Sequence, residues 1–281
     1  MIITMNIDLL TFSPTKTGLK ICRKITEGTG VAVNCISEID LTKAEIRRQP
    51  PAIDADLCII CAPCYEARIP PVVRDFFSNS TIDGKNTPTV AVVVYGNRTL
   101  GIALKQLVEK VANAHFKVIA TGSFVGEQSY ASDFLPLGLG RPDAADLEAA
   151  KSFGQQIGAL LMDAKGADLQ PIKAAMMPGS IQWMFRLIPE GFLGSFGSPS
   201  AISADCIHCG LCEKWCPVEA IDSQTLEIDR KKCIHCMACV KLCPSKARKL
   251  QLRTPPIVKR FMKPGFKVRR EPKTRIAEKN G

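Results

Sequence analysis

Cys206-Ile-His-Cys209-Gly-Leu-Cys212-Glu-Lys-Trp-Cys216-Pro217 returns 27 residues later as Cys233-Ile-His-Cys236-Met-Ala-Cys239-Val-Lys-Leu-Cys243-Pro244. Eight of the chain's 13 cysteines lie in these two copies of a C-x2-C-x2-C-x3-C-P run. Thiolates at that spacing hold iron-sulfur clusters. Zinc also accepts four thiolates, but its sites present ligand pairs separated by a longer loop, whereas here four cysteines crowd into eleven residues. A disulfide framework is the other competing reading. The repeat extends past the ligands: Ile207 matches Ile234, His208 matches His235, Lys214 matches Lys241 and Ala220 matches Ala247. Duplication of one unit is the plain reading.

The run resembles that of two-cluster bacterial ferredoxins. The resemblance implies two [4Fe-4S] clusters with crossed ligation, because the cysteine before the proline serves the cluster of the opposite repeat. One cluster then takes Cys206, Cys209, Cys212 and Cys243. The other takes Cys233, Cys236, Cys239 and Cys216. Four thiolates satisfy each cluster, so His208 and His235 read as non-ligands that pack over a site or donate a hydrogen bond to it.

These motifs occupy only the last third of 281 residues, which leaves room for a second domain with its own core. The start lacks a basic leader and a small-residue cleavage site. No run of about eighteen apolar residues is present, which excludes a spanning helix. An odd number of cysteines without an export signal points to a reducing compartment, the cytoplasm.

The net charge of +10 belongs to one end. Residues 246–281 hold 13 Lys/Arg against Glu271 and Glu278, a balance of +11, so the rest sums to 10 − 11 = −1. The basic tail, 252–281, shows no helical or strand period and reads as a segment without a core of its own. It is expected either to dock on a redox partner with an acidic surface or to be a solvated end. Nucleic acid is not expected, since the tail has few aromatics for stacking.

Residues 1–165 alternate apolar runs with helical patterns, the signature of a parallel sheet covered on both faces. Strands are expected near Asn6–Phe12, Val31–Ser37, Asp56–Ala62, Thr89–Tyr95 and Phe116–Thr121, with helices near Thr17–Glu27, Pro71–Asn79, Leu100–Ala112 and Ala144–Met162. This is an α/β, doubly wound, five-stranded domain. Ligands of such sheets bind beyond the carboxyl ends of the strands, where strand order reverses. The loops there are Thr11–Gly18, rich in hydroxyls, Cys61–Pro70, with Tyr65, and Val94–Arg98, with Tyr95 and Gly96. The first suits either a phosphate at a helix N-terminus or a simple helix cap. Cys61 and Cys64 read as soft packing residues rather than a redox dithiol.

At these loops the chain resembles flavodoxin, and as a whole it resembles the flavodoxin-ferredoxin fusion proteins sometimes called EFR-type ferredoxins. That resemblance implies a flavodoxin-like domain followed, at 199–251, by a small α+β ferredoxin-type domain. It also implies FMN, with Ser13, Thr15, Lys16 and Thr17 around the phosphate and Pro63, Tyr65, Tyr95, Gly96 and Asn97 bracketing the ring. Lys16 departs from the family's glycine and Gly18 from its last threonine, which puts the left-handed backbone of the loop in question. The apolar segment 166–198 is expected to pack between the domains, with a peripheral membrane contact through Trp183 to Leu187 as the competing reading. The implied function is electron transfer between the clusters and FMN. The alternatives are a flavin-dependent reductase of an unknown substrate, or a ferredoxin whose first domain has lost FMN and serves as a docking platform.

Overall fold

The computed structural model describes residues 4–132, 135–163, 169–173, 191, 197–200, 202–252 and 268–278. Five parallel strands, β1 (Thr4–Thr11), β2 (Ala32–Asp40), β3 (Leu57–Pro63), β4 (Pro88–Tyr95) and β5 (Lys117–Val125), stand in the order β2-β1-β3-β4-β5. That is the flavodoxin-like doubly wound order, with its switch point between β1 and β3. Both faces are covered, so the inner strands are nearly continuous apolar runs. In β3, Leu57, Ile59 and Cys61 face the core under α1 (Thr17–Gly28) and α5 (Ala144–Asp163). Cys58, Ile60 and Ala62 face the opposite core, under α3 (Pro71–Asn79) and α4 (Ala103–Asn113).

Two elements were not legible in the sequence. A short helix, α2 (Ala44–Arg48), follows β2. The basic tail is also not free along its whole length: β8 (Lys273–Ile276) adds a sixth strand, antiparallel to β5, with Lys273 opposite Ser123 and Ile276 opposite Ala120. The expectation of a tail without strand structure is therefore corrected for these residues. Lys273 and Arg275 are exposed on this new edge, where basic side chains discourage pairing with another chain.

Helices α1 and α5 pack backbone to backbone. A Cβ at Gly154 would lie 2.0 Å from the Ile25 carbonyl oxygen, and one at Gly158 1.9 Å from that of Thr29. The expected linker 166–198 falls largely outside the described residues, but Leu169 and Ile172 belong to the α1/α5 core and the Ile172 amide bonds the Val118 carbonyl.

The cluster-motif region contains two helical turns, α6 (Leu211–Lys214) and α7 (Ala238–Lys241), and a ribbon of β6 (Gly197–Pro199) with β7 (Leu250–Leu252). Its duplication is written in the backbone. Left-handed residues occur as His208 and His235, Gly210 and Met237, Glu219 and Lys246, each pair 27 residues apart.

The glycine contact gives a stability test. Gly158→Ala should destabilise the fold by about 1–3 kcal/mol through overpacking, read as a lowered unfolding midpoint. An unchanged midpoint would show that α1 and α5 are not in backbone contact.

Candidate functional site

The carboxyl ends of β1, β3, β4 and β5 enclose a cavity of about 790 Å³. Its floor at the switch point is the loop from Phe12 to Gly18. Ser13 is buried there, and its hydroxyl accepts hydrogen bonds from the Gly18 and Leu19 amides at 2.9 and 3.4 Å. Ser13 therefore caps α1. The Thr15 and Thr17 hydroxyls lie 3.2 Å apart. Their amides have no protein acceptor among the described residues. Two free N–H groups and two hydroxyls at a helix N-terminus form an anion cradle.

Lys16 resolves the question its sequence raises. Its backbone is left-handed, φ 62°, the conformation that glycine usually supplies. The side chain turns away from the cavity to Asp40, with Nζ 2.9 Å from Oδ2, so Lys16 does not join the wall with Ser13, Thr15 and Thr17. Gly18 has a packing cause: a Cβ there would lie 2.7 Å from the Cys61 sulfur.

Ring-side residues come from the other loops. Pro63, Tyr65, Tyr95 and Gly96 all line the cavity, as does Cys64. Asn97 does not. Its buried side chain bonds the Val268 carbonyl and the Arg270 amide instead. Cys61 and Cys64 point to opposite sides of the sheet. Cys61 sits in the α1/α5 core, where its hydrogen bond and burial hold the Cys22 thiol well above its ordinary range, whereas Cys64 packs on the α3/α4 side and donates toward Leu100.

Two further wall segments carried no sequence signal. One is Glu127–Tyr130 after β5, so that all three tyrosines of the protein line the same cavity. The other is Lys231–His235, the ligand loop of the second cysteine repeat. Burial pushes the Tyr65 and Tyr130 hydroxyls up. Cys236 lies within electrostatic reach of both rings, and Cys233 within reach of Tyr130. Ile234 packs on the α3/α4 core, and Lys241 pairs with Glu127 and donates to the Gln128 carbonyl at 3.1 Å. Across the junction Arg47 donates to the Pro217 carbonyl and Arg48 pairs with Glu219, both arginines being supplied by α2.

Among the described residues no three of the motif thiols are yet close enough together to hold a metal ion, but several are electrostatic neighbours. Burial raises the Cys236 and Cys239 thiols, and Cys216 and Cys233 are electrostatic neighbours of both. Cys216, from the first repeat, thus stands among Cys233, Cys236 and Cys239. Left-handed backbone accompanies amides aimed at sulfur: that of His208 itself at Cys206, 3.4 Å, and that of Ala220, after left-handed Glu219, at Cys216, 3.2 Å. Burial alone would raise Cys243, but the amides of Arg248, Ala247 and Ser245 and the Ser245 hydroxyl bring it below the ordinary thiol range. Such N–H···S bonds also stabilise bound thiolate. The donor set fits cubane clusters, and the cavity fits a phosphorylated planar ligand.

A family described as a 4Fe-4S dicluster domain matches residues 205–247. No curated protein matches the chain. Among solved structures, a flavodoxin from the domain Archaea is 14% identical, covering 57% of this chain and 99% of its own, with a TM-score of 0.38. Flavodoxin 1 from Bacillus cereus is 18% identical over 56% of this chain and 97% of its own, TM-score 0.39. Rubredoxin oxygen:oxidoreductase from Desulfovibrio gigas is 20% identical over 56% of this chain and 36% of its own, TM-score 0.36. Residues 205–247 thus match an iron-sulfur domain, and the parallel sheet that precedes them has the flavodoxin-like strand order. No helix among the described residues is long and apolar enough to cross a membrane.

The floor of the cavity is testable by a double-mutant cycle. Gly18→Ala should cost about 1–3 kcal/mol of stability from crowding against Cys61, and Cys61→Ala should recover most of that loss when combined with it. Additive losses in unfolding midpoints would contradict the contact.

Proposed function

We propose that the protein carries electrons between two [4Fe-4S] clusters and an FMN held in the cavity. The observation that carries this reading is the composition of the cavity wall: three flavodoxin-type loops on one side and the Lys231–His235 ligand loop on the other. When bound, the clusters exchange single electrons and FMN accepts one or two.

The residues divide the work. Thr15 and Thr17 offer amides and hydroxyls to a phosphate at the N-terminus of α1. Tyr65, Tyr95 and Tyr130 supply flat apolar walls, with Cys236 within electrostatic reach of Tyr65 and Tyr130. Cys216, Cys233, Cys236 and Cys239 hold the cluster nearest the cavity, while Cys206, Cys209, Cys212 and Cys243 hold the outer one. Placement of the two sites supports that order. Ile234 packs against the flavodoxin-like core, whereas its counterpart Ile207 is 65% exposed and Cys209 is exposed beside it.

The outer cluster is then the one a redox partner reaches. The exposed basic residues of the tail, such as Lys273 and Arg275, suit a partner with an acidic docking surface. An odd number of cysteines, eight of them in cluster motifs, fits the reducing cytoplasm.

Protein purified without oxygen should contain about eight iron and eight inorganic sulfide per chain, with one releasable FMN. Cys216→Ala should halve the iron. Crossed ligation predicts that adding Cys233→Ala to it removes no more, whereas adding Cys206→Ala removes nearly all. The reverse pattern of losses, or zinc in place of iron and sulfide, would overturn the assignment.

A further inference from the structure

We infer that the segment Val268–Ile276 is a strap that fixes the ring side of the cavity, and that Asn97 is the positioning residue through which it acts. The inference deepens the flavin reading and rests on it.

Asn97 lies in the loop after β4, flanked by Tyr95, Gly96, Arg98 and Thr99, each of which lines the cavity. Its own side chain serves the strap. Nδ2 donates to the Val268 carbonyl at 2.8 Å and Oδ1 accepts from the Arg270 amide at 3.1 Å. The carboxamide thus pairs with an N–H and a C=O of the same short stretch, as a neighbouring strand would. Asn97 does this from a left-handed backbone, φ 54°, which asparagine tolerates better than most residues.

A second wall loop grips the same stretch. Arg141 is buried against Asp146 and donates to the Arg270 carbonyl at 3.1 Å. The Arg141 and Leu137 carbonyls accept from the Glu127 and Gln128 amides at 2.8 and 3.1 Å. Glu127 and Gln128 line the cavity and also receive Lys241 from the cluster module.

Val268 and Arg270 therefore tie together two loops that come from different strands and face the same cavity. The strap is anchored twice more: between them Arg269 reaches Asp143 at 2.6 Å, and beyond them Lys273–Ile276 pairs with β5. Pairing on β5 alone would satisfy a sheet edge; the bonds upstream of it go to the wall loops.

Because strap and ligand hold the same two loops, each must favour the other by the same factor. FMN should slow exchange of the strap's amides, and loss of the clamp should weaken FMN.

The test uses the full-length protein, cluster-loaded and stripped of flavin, titrated with FMN by fluorescence quenching. Asn97→Ala should weaken FMN binding by about tenfold, a coupling of ordinary size. Asn97→Gly, which accepts the left-handed backbone without strain, should weaken it equally while keeping iron content and unfolding midpoint at wild-type values. Hydrogen exchange of the peptide 268–276 should slow on FMN saturation in the wild type and not in either variant.

FMN affinity within twofold of wild type in both variants, or exchange of the strap indifferent to FMN in the wild type, would overturn the strap. Failure of the intact protein to take up FMN at all would overturn the flavin reading itself, and the strap's role with it.

Discussion

The seat of the second cysteine repeat on the flavodoxin-like domain is the contact on which the rest depends. Apolar and polar contacts both hold it. Burying an isoleucine side chain fully is worth about 1.5–3 kcal/mol, and Ile234 is partly buried against the α3/α4 core. The exposed pair Arg48–Glu219 adds at most about 1 kcal/mol and serves better to set register. Arg47 has a more specific part. Half-buried over the Phe12 ring, it also donates to the carbonyl of Pro217, the residue after Cys216. One side chain thereby touches both the cavity wall and a ligand loop.

Two repeats with the same cysteine spacing are used unequally. The Ile-His dipeptide after the first cysteine of each motif points into the molecule in one copy and out of it in the other: Ile234 and His235 meet the flavodoxin-like domain, while Ile207 and His208 are exposed. Docking on one side is enough to turn a pseudo-symmetric unit into one with an inner and an outer site. Position then separates the repeats where sequence does not.

Much of this was legible in the chain. Strand and helix positions followed from apolar runs alternating with helical periods, and the iron-sulfur domain at 205–247 from the doubled cysteine spacing. The three loops past β1, β3 and β4 were found because sheet topology names them. What was not legible depends on contacts far apart in sequence. The strand Lys273–Ile276 lies on an edge and is basic, so it shows no apolar alternation. Asn97 bonds a segment more than 170 residues away, and Lys231–His235 reaches the cavity only because the second repeat docks there. Lys16 takes a glycine's conformation through its surroundings, with its side chain drawn off to Asp40. Tyr130 follows β5, a loop that the switch-point rule does not single out.

The most direct measurement is an oxygen-free crystal structure of the protein as isolated, with iron located by its anomalous scattering. The account predicts FMN between Tyr65, Tyr95 and Tyr130, and beside it a cubane bonded to Cys216, Cys233, Cys236 and Cys239. Iron next to the cavity bonded to Cys206, Cys209 and Cys212, or a flavin bound elsewhere, would contradict it.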